Sequence, residues 1–184
     1  MAFITTNYSN NQHTTNGPLP EGDYEFVING VQERASKGGN TAINFDLIVR
    51  NDLDQALPET NGKQHNRHLF VNEWAGRETQ QYNNNHLMYF MEAAGIPEGT
   101  NIETMNDFFD ALYHKPVRIH VTIQDNNYNG TVTKENRPAP WNWEKSQFPQ
   151  VAHQFKQQQE PQQPKQQAPV FNNPQPQDQA PLPF

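Results

Sequence analysis

The stretch VRIHVTIQ, residues 117–124, decides the reading of the fold. Val117, Ile119, Val121 and Ile123 alternate with Arg118, His120, Thr122 and Gln124. A period of two sends one set into a core and the other toward water, so the segment is a half-buried strand. Asn129-Gly130 comes next, and this pair supplies the two positive φ values of a tight hairpin turn, so a short further strand is expected after it. The same alternation occurs three times earlier in the chain. Residues 23–31 carry Tyr24, Phe26 and Ile28 on one face, with Val27 and Val31 on the other. In residues 41–50, Ile43, Phe45, Leu47 and Val49 oppose Ala42, Asn44, Asp46 and Arg50, interrupted by Ile48. Residues 65–74 set Arg67, Leu69 and Val71 against His68, Phe70 and Asn72.

Between the third and fourth strands the period becomes helical. Leu87, Phe90, Met91 and Ala94 fall at i, i+3, i+4 and i+7, and Gly95 with Pro97 reads as a C-terminal stop. Thr100-x-x-Glu103 has the form of a capping box ahead of Met105, Phe108, Phe109 and Leu112. Three strands, a helical insert and two strands is the order of the OB-fold. The expectation is therefore a mainly β chain: a five-stranded antiparallel OB-fold-like barrel with a helical insert between strands 3 and 4, followed by a disordered C-terminal tail.

Composition sets the boundaries. Of the 39 residues from Ser146 to Phe184, 13 are Gln and 8 are Pro. Proline lacks the backbone donor and glutamine adds no apolar area, so residues 146–184 are expected to stay disordered. Residues 1–17, rich in Asn and Thr, are expected to be flexible, with Phe3, Ile4 and Tyr8 able to dock as an edge strand or to fray. Residues 18–145 remain as the folded body, long enough for one core.

Several function classes are excluded at this level. The 184 residues contain no cysteine, which removes disulfide scaffolds, thiolate metal sites and thiol nucleophiles. No apolar run is long enough to span a bilayer, and MAFITTNYSN lacks the basic and apolar regions of a signal peptide, so a cytoplasmic protein with no membrane association is expected. Phosphate loops, nucleophile elbows and HExxH helices do not occur. His65-x-x-His68 lies on a strand, where i and i+3 point to opposite faces, so joint metal ligation is not expected. Asp125-x-Asn127-x-Asn129-Gly130 matches the first half of a calcium loop, but the twelfth position is Asn136 and Glu135 falls one residue early; a polar hairpin turn accounts for it. Asp52, Asp54 and Glu59 occupy a loop read as solvated. No catalytic residue, metal or cofactor is assigned.

The formal charge is -7, from 13 Lys plus Arg against 20 Asp plus Glu, so a nucleic-acid site would have to be a local basic groove on an acidic body. Basic residues do recur where a barrel would present one: Arg34 and Lys37 beside Gly38-Gly39, Arg50, Lys63 and Arg67 around the next loop, Arg118 and His120 on the outward face of the fourth strand, and Lys134 and Arg137 after the last hairpin. Trp74, Tyr128, Trp141 and Trp143 lie at strand ends or loops and are the candidate platforms for stacked bases, whereas Phe26, Phe45 and Phe70 are assigned to the core.

Residues 19–137 also carry a family resemblance. LPEGDYEFVINGVQERASKGGNTAINFDLIVRNDLDQ, RHLFVNEW, LMYFMEAAGIPEGT and HKPVRIHVTIQ with its following YNG turn resemble a family of bacteriophage proteins known as a numbered domain of unknown function. Its members are encoded among replication and recombination genes and are often labelled single-stranded-DNA-binding proteins. The most specific matches, Leu19 to Tyr24 and Ala94 to Pro97, report folding rather than DNA contact. Separately, QDQAPLPF, residues 177–184, resembles the tip of bacterial single-stranded-DNA-binding proteins. That resemblance implies that Asp178, Pro181, Leu182, Pro183 and Phe184 dock onto replication or recombination enzymes of phage or host, though the acidic run of that tip is reduced here to Asp178.

The combined expectation is a non-catalytic single-stranded-DNA-binding protein, capable of homo-oligomerisation. A protein-interaction module with no nucleic-acid ligand, and a magnesium-dependent nuclease built on the loop carboxylates, are the alternatives.

Overall fold

The computed structural model describes residues 17–155. Strand β1 (Gly22–Ala35) pairs antiparallel with β2 (Thr41–Val49) along one half and with β4 (Pro116–Val121) along the other. Strand β3 (His68–Trp74) adds to β2, and β7 (Trp143–Lys145) adds to β4, giving the sheet order β3-β2-β1-β4-β7. Strands β5 (Ile123–Tyr128) and β6 (Thr131–Asn136) form a separate two-stranded hairpin. Its turn is Asn129-Gly130, with φ of 51° and 80°, the paired left-handed values of a type I′ turn.

One face of the large sheet carries the core. Tyr24, Phe26 and Ile28 of β1, Ile43, Phe45, Leu47 and Val49 of β2, and Val117, Ile119 and Val121 of β4 are all buried there. A bulge in β1 between Ile28 and Gly30 corrects the expected placement of Val31 on the face of Val27. Asn29 is the extra residue and donates to Asp46 Oδ2 at 2.6 Å. Val31 thereby shifts onto the face of Ile28 and pairs with Phe45.

Helix α1 (Asn84–Ala93) and helix α2 (Met105–Leu112) close over this face through Phe90, Ala93, Phe108 and Leu112. Asn83 caps α1 by accepting from the Asn85 backbone N–H. At the other end, Gly95 adopts φ 71° and the Ile96 N–H reaches the Met91 carbonyl at 3.0 Å, a Schellman stop. The capping box of α2 sits four residues later than expected. Thr104 accepts from the Asp107 N–H and Asp107 accepts from the Thr104 N–H, while the Thr100 hydroxyl donates to the Pro97 carbonyl. Both Thr-x-x-acid pairs satisfy the local pattern, but only the later one starts a helix whose Phe108 and Leu112 point inward.

Two larger expectations need correction. The sheet is not closed into a barrel. The run of residues 117–124 breaks at Thr122: β4 stays with β1 and β7, while β5 pairs with β6 alone. The end of β6 is held elsewhere than on β3. Asn136 accepts from the Leu19 N–H at 2.6 Å and donates to the Leu19 carbonyl at 2.8 Å, which ties β6 to the chain entering β1.

The ordered body also continues past Lys145. Ser146 Oγ and the Gln147 N–H donate to the Glu25 carboxylate at 2.6 and 3.0 Å. Arg50, 0% exposed, donates to the carbonyls of Phe148 and Gln150 and forms a two-bond ion pair with Asp52. The Asn51 N–H donates to His153 Nδ1, and the Gln154 N–H donates to Asn51 Oδ1. Composition alone hides this, because apart from Ser146 Oγ and His153 Nδ1 the segment is held by backbone carbonyls and N–H groups that any residue could supply. One compact unit ends at Gln154. The expectations for Phe3, Ile4 and Tyr8, and for Asp178 and Pro181 to Phe184, lie outside the described residues. Among the described residues no helix is long and apolar enough to cross a membrane.

Candidate nucleic-acid interface

The face of the sheet opposite the helices is read in rows across β1, β2 and β3. Arg34, Ala42 and Trp74 form one row; Gln32, Asn44 and Asn72 the next; Gly30, Asp46 and Phe70 the third; Val27, Ile48 and His68 the fourth. Phe70 is 58% exposed and Trp74 50% exposed. Both point the same way because they lie four residues apart on one strand, about 13 Å along it. His68 stacks on Phe70, with ring centroids 5.9 Å apart and planes at 19°. Asn44 donates to Asn72 Oδ1 at 2.8 Å, placing amide groups between the two exposed rings. Arg34 faces the Gln32 amide, whose oxygen accepts from it at 2.7 Å in the orientation that satisfies both groups.

Trp74 is the hinge between two open depressions. The larger, about 690 Å³, is lined by Ser36, Gly38, Gly39 and Asn40 of the β1–β2 loop and by Arg77 and Gln80 beyond β3. Gly39 adopts φ 81° with no atom near the position of a Cβ, so backbone is presented bare at this rim. The smaller, about 270 Å³, lies where a closed barrel would join β3 to β6, between Phe70, Asn72 and Trp74 on one side and residues 135–138 on the other. Arg137 lines it and pairs with Glu135 at 2.5 Å. The unclosed seam thus extends the platform into a groove.

The expected site residues divide sharply. Arg34, Trp74 and Arg137 border this face and its clefts, and Lys37 is exposed in the loop that rims the larger one. Trp141 is 63% exposed beyond Pro138, with its ring 6.4 Å from that of His86 and edge-on to it. His86 is itself bonded to Glu73 of β3 at 2.8 Å.

The remaining candidates stand apart from it. Trp143 is corrected from platform to core: 4% exposed, it pairs with Ile119 across the β7–β4 ladder and meets Phe45 and Phe90 at 5.1 and 4.8 Å. Arg50 is likewise corrected, because its guanidinium is buried in the bonds to Asp52, Phe148 and Gln150. Arg67 bonds Gln64 and the Gly17 carbonyl, and Lys63 pairs with Glu59 in the neighbouring loop. Arg118 and His120 both bind Asp23 at 2.8 Å, far down β1 from Arg34. Their hydrogen bonds, His120 first and Arg118 second, hold the Asp23 carboxyl below its ordinary value. Lys134 faces Asp125 across the β5–β6 hairpin; the Tyr128 side chain lies outside the described ones.

The acidic loop is solvated at Glu59, but Asp52 is drawn into the body. Burial pushes the Asp52 carboxyl up, but hydrogen bonds from Arg50 and the Ala152 N–H, with the Arg50 charge, bring it below its ordinary value. Asp54 pairs with His65 at 2.8 Å. Asn61, buried in a π-helical turn (Pro58–Gly62), replaces a missing strand by bonding the Glu25 N–H and the carbonyls of Glu25 and Arg50. A Cβ on Gly62 would meet the Asp54 carbonyl at 2.9 Å, so the turn packs too closely there for another residue. Among the described residues no three His, Asp or Glu side chains are grouped to hold a metal ion.

Two residues of the face were missed. Residue type assigns Phe70 to the core, whereas its alternation with Leu69 and Val71 places it outside, where it lies. Arg77 follows Trp74 in the AGRET loop, and only the folding of that loop against the β1–β2 loop brings it to the rim.

No curated protein matches the chain. A family model described as a protein of unknown function (DUF669) matches residues 6–164, and the chain belongs to that family.

Proposed function

We propose that the protein binds single-stranded DNA across the outer face of β1, β2 and β3. The observation that carries this reading is the pairing of exposed rings, Phe70 and Trp74, with a cation in the Trp74 row, Arg34, on a sheet face open at both ends. Stacking on such rings contributes about 1–3 kcal/mol per base and is indifferent to base identity, because every base has a π-face. Arg34, Lys37, Arg77 and Arg137 neutralise phosphates along the strand. The bare backbone at Gly38-Gly39 lets the sugar-phosphate chain approach closely. A duplex keeps its bases stacked and paired, so it cannot use the rings and binds more weakly.

The resemblance of the sequence to phage single-stranded-DNA-binding proteins supports a place in DNA replication or recombination. On the separate resemblance of residues 177–184 to the tip of bacterial single-stranded-DNA-binding proteins, Asp178 and Pro181 to Phe184 are assigned the recruitment of partner enzymes. The nuclease alternative is weakened by the ion pair that joins Asp52 to a buried arginine.

Titration with oligo-dT, followed by tryptophan fluorescence, tests the reading. Trp74 should be quenched while the buried Trp143 leaves a residual signal. With four phosphate contacts at about 0.7 each, log K should fall with log salt at a slope near -3. Absence of quenching at low salt would favour the interaction-module alternative.

A further inference from the structure

The surface on the helical side has the opposite character. Leu87, Met88 and Met91 of α1, Ile102 of the connecting loop, and Met105 and Phe108 of α2 line an apolar groove of about 250 Å³. Every methionine of the chain except Met1 lies in it. Met88 is 57% exposed, an unbranched apolar side chain presented to water. Thioether side chains are flexible and polarizable, and they suit surfaces that mould themselves to an incoming apolar group.

The rim supplies the sign of the partner. From Asn83 to Tyr113 the chain contains Glu92, Glu98, Glu103, Asp107 and Asp110 and not one Lys or Arg. All five carboxylates are exposed. Glu92 of α1 is one residue from Met91, Glu103 of the connecting loop one from Ile102, and Asp107 of α2 one from Phe108, so each helix and the loop between them carry an exposed acid next in sequence to a lining residue.

We infer that the α1–α2 groove is a docking site for a cationic amphipathic helix of a partner protein. Such a helix lays apolar residues at i, i+3 or i+4, and i+7 between α1 and α2, with Lys and Arg on its flanks against the acidic rim. A polyanion or an anionic lipid surface would be repelled by the same carboxylates. The site is on the face of the sheet away from Phe70 and Trp74, and it does not depend on the DNA reading: a protein indifferent to oligo-dT would still bind this helix.

The test uses the full chain, labelled at the methionine methyl groups, and two synthetic 14-residue peptides. Both carry Leu at the apolar positions of one helix face; one has Lys and the other Glu at the flanks. The Lys peptide should shift the Met88, Met91 and Met105 signals and bind at least about tenfold more tightly than the Glu peptide. The exposed substitutions Glu92→Lys and Glu103→Lys, introduced together, should reverse that preference without altering the circular dichroism spectrum. Equal binding of the two peptides, no binding of either, shifts that map outside the three methionines, or an unreversed preference would each overturn the inference. Concentration-dependent dimerisation of the free chain that masks the same methyl groups would overturn it too, by identifying a second copy as the occupant.

Discussion

Arg50 and Arg34 lie on the same outer side of the same sheet, and the fold puts them to opposite uses. Arg50 is sealed between Asp52 and the carbonyls of Phe148 and Gln150, where its charge fastens residues 146–154 to strands β1 and β2. Arg34 stands exposed in the row of Trp74, beside a neutral amide. The tryptophans divide in the same way, since Trp143 fills the core between Phe45 and Phe90 while Trp74 faces solvent at the mouth of two clefts. A cation or ring is available to a ligand only where the fold has not already buried it against a partner.

Breaking the buried side of this comparison should have the largest effect. Arg50→Met strands the Asp52 carboxylate beneath the 146–154 segment, and removing one member of a buried pair costs about 3–5 kcal/mol. Trp143→Ala, which empties a cavity between two phenylalanines, should cost a similar 3–5 kcal/mol. Urea unfolding measures both, and oligo-dT affinity of either variant, assayed where it remains folded, should be unchanged. A stable Arg50→Met protein that has lost DNA binding would invert the assignment.

Acidification sharpens the comparison by a smaller amount. Burial lowers the pKa of His153 from its ordinary 6.5, and its Nδ1 accepts a hydrogen bond from the Asn51 N–H that a protonated ring could not accept. The unfolded chain therefore takes up a proton below pH 6.5 that the folded chain refuses. Stability should fall as the pH drops through 6.5 toward the folded value, by at most about 1.4 kcal/mol per pH unit for one proton. Protection of the Gln154 amide from hydrogen exchange should decline in the same range. The Asp52 and Asp23 carboxyls, both held below 3.8, contribute stability that is present above that value and lost only in stronger acid. Stability that is flat between pH 7 and 5 would show that the His153 contact does not hold the segment.

The smallest effect separates the two basic clusters. Arg34→Ala should weaken oligo-dT binding a few-fold and reduce the magnitude of the salt slope by about 0.7. Arg118→Ala, at a residue already paired with Asp23 in the β4 half of the sheet, should leave the slope unchanged.

Alternation made most of the sheet legible. The core faces of β1, β2 and β4 and the hairpin at Asn129-Gly130 follow from two-residue periods and a turn pair, and α1 with its glycine stop follows from helical spacing. Closure was not legible, because it depends on where β6 ends, and Asn136 directs that end to Leu19 through two side-chain hydrogen bonds that leave no periodic trace. The site was legible in residue type but not in use. Trp143 sits in a three-residue strand with too few positions to show a period, so its inward orientation could not be read. Phe70 could have been found: its place in the alternation and its residue type disagreed, and the alternation was right.

The most direct test of the account is the anisotropy of an end-labelled oligo-dT titrated with the wild-type protein and with a Phe70→Ala, Trp74→Ala double variant. Both rings are exposed, so the unfolding midpoint should be unchanged. With stacking worth about 1–3 kcal/mol per base, the double variant should lose at least tenfold in affinity. Equal affinity of the two proteins for the oligonucleotide would contradict the assignment of this sheet face to DNA.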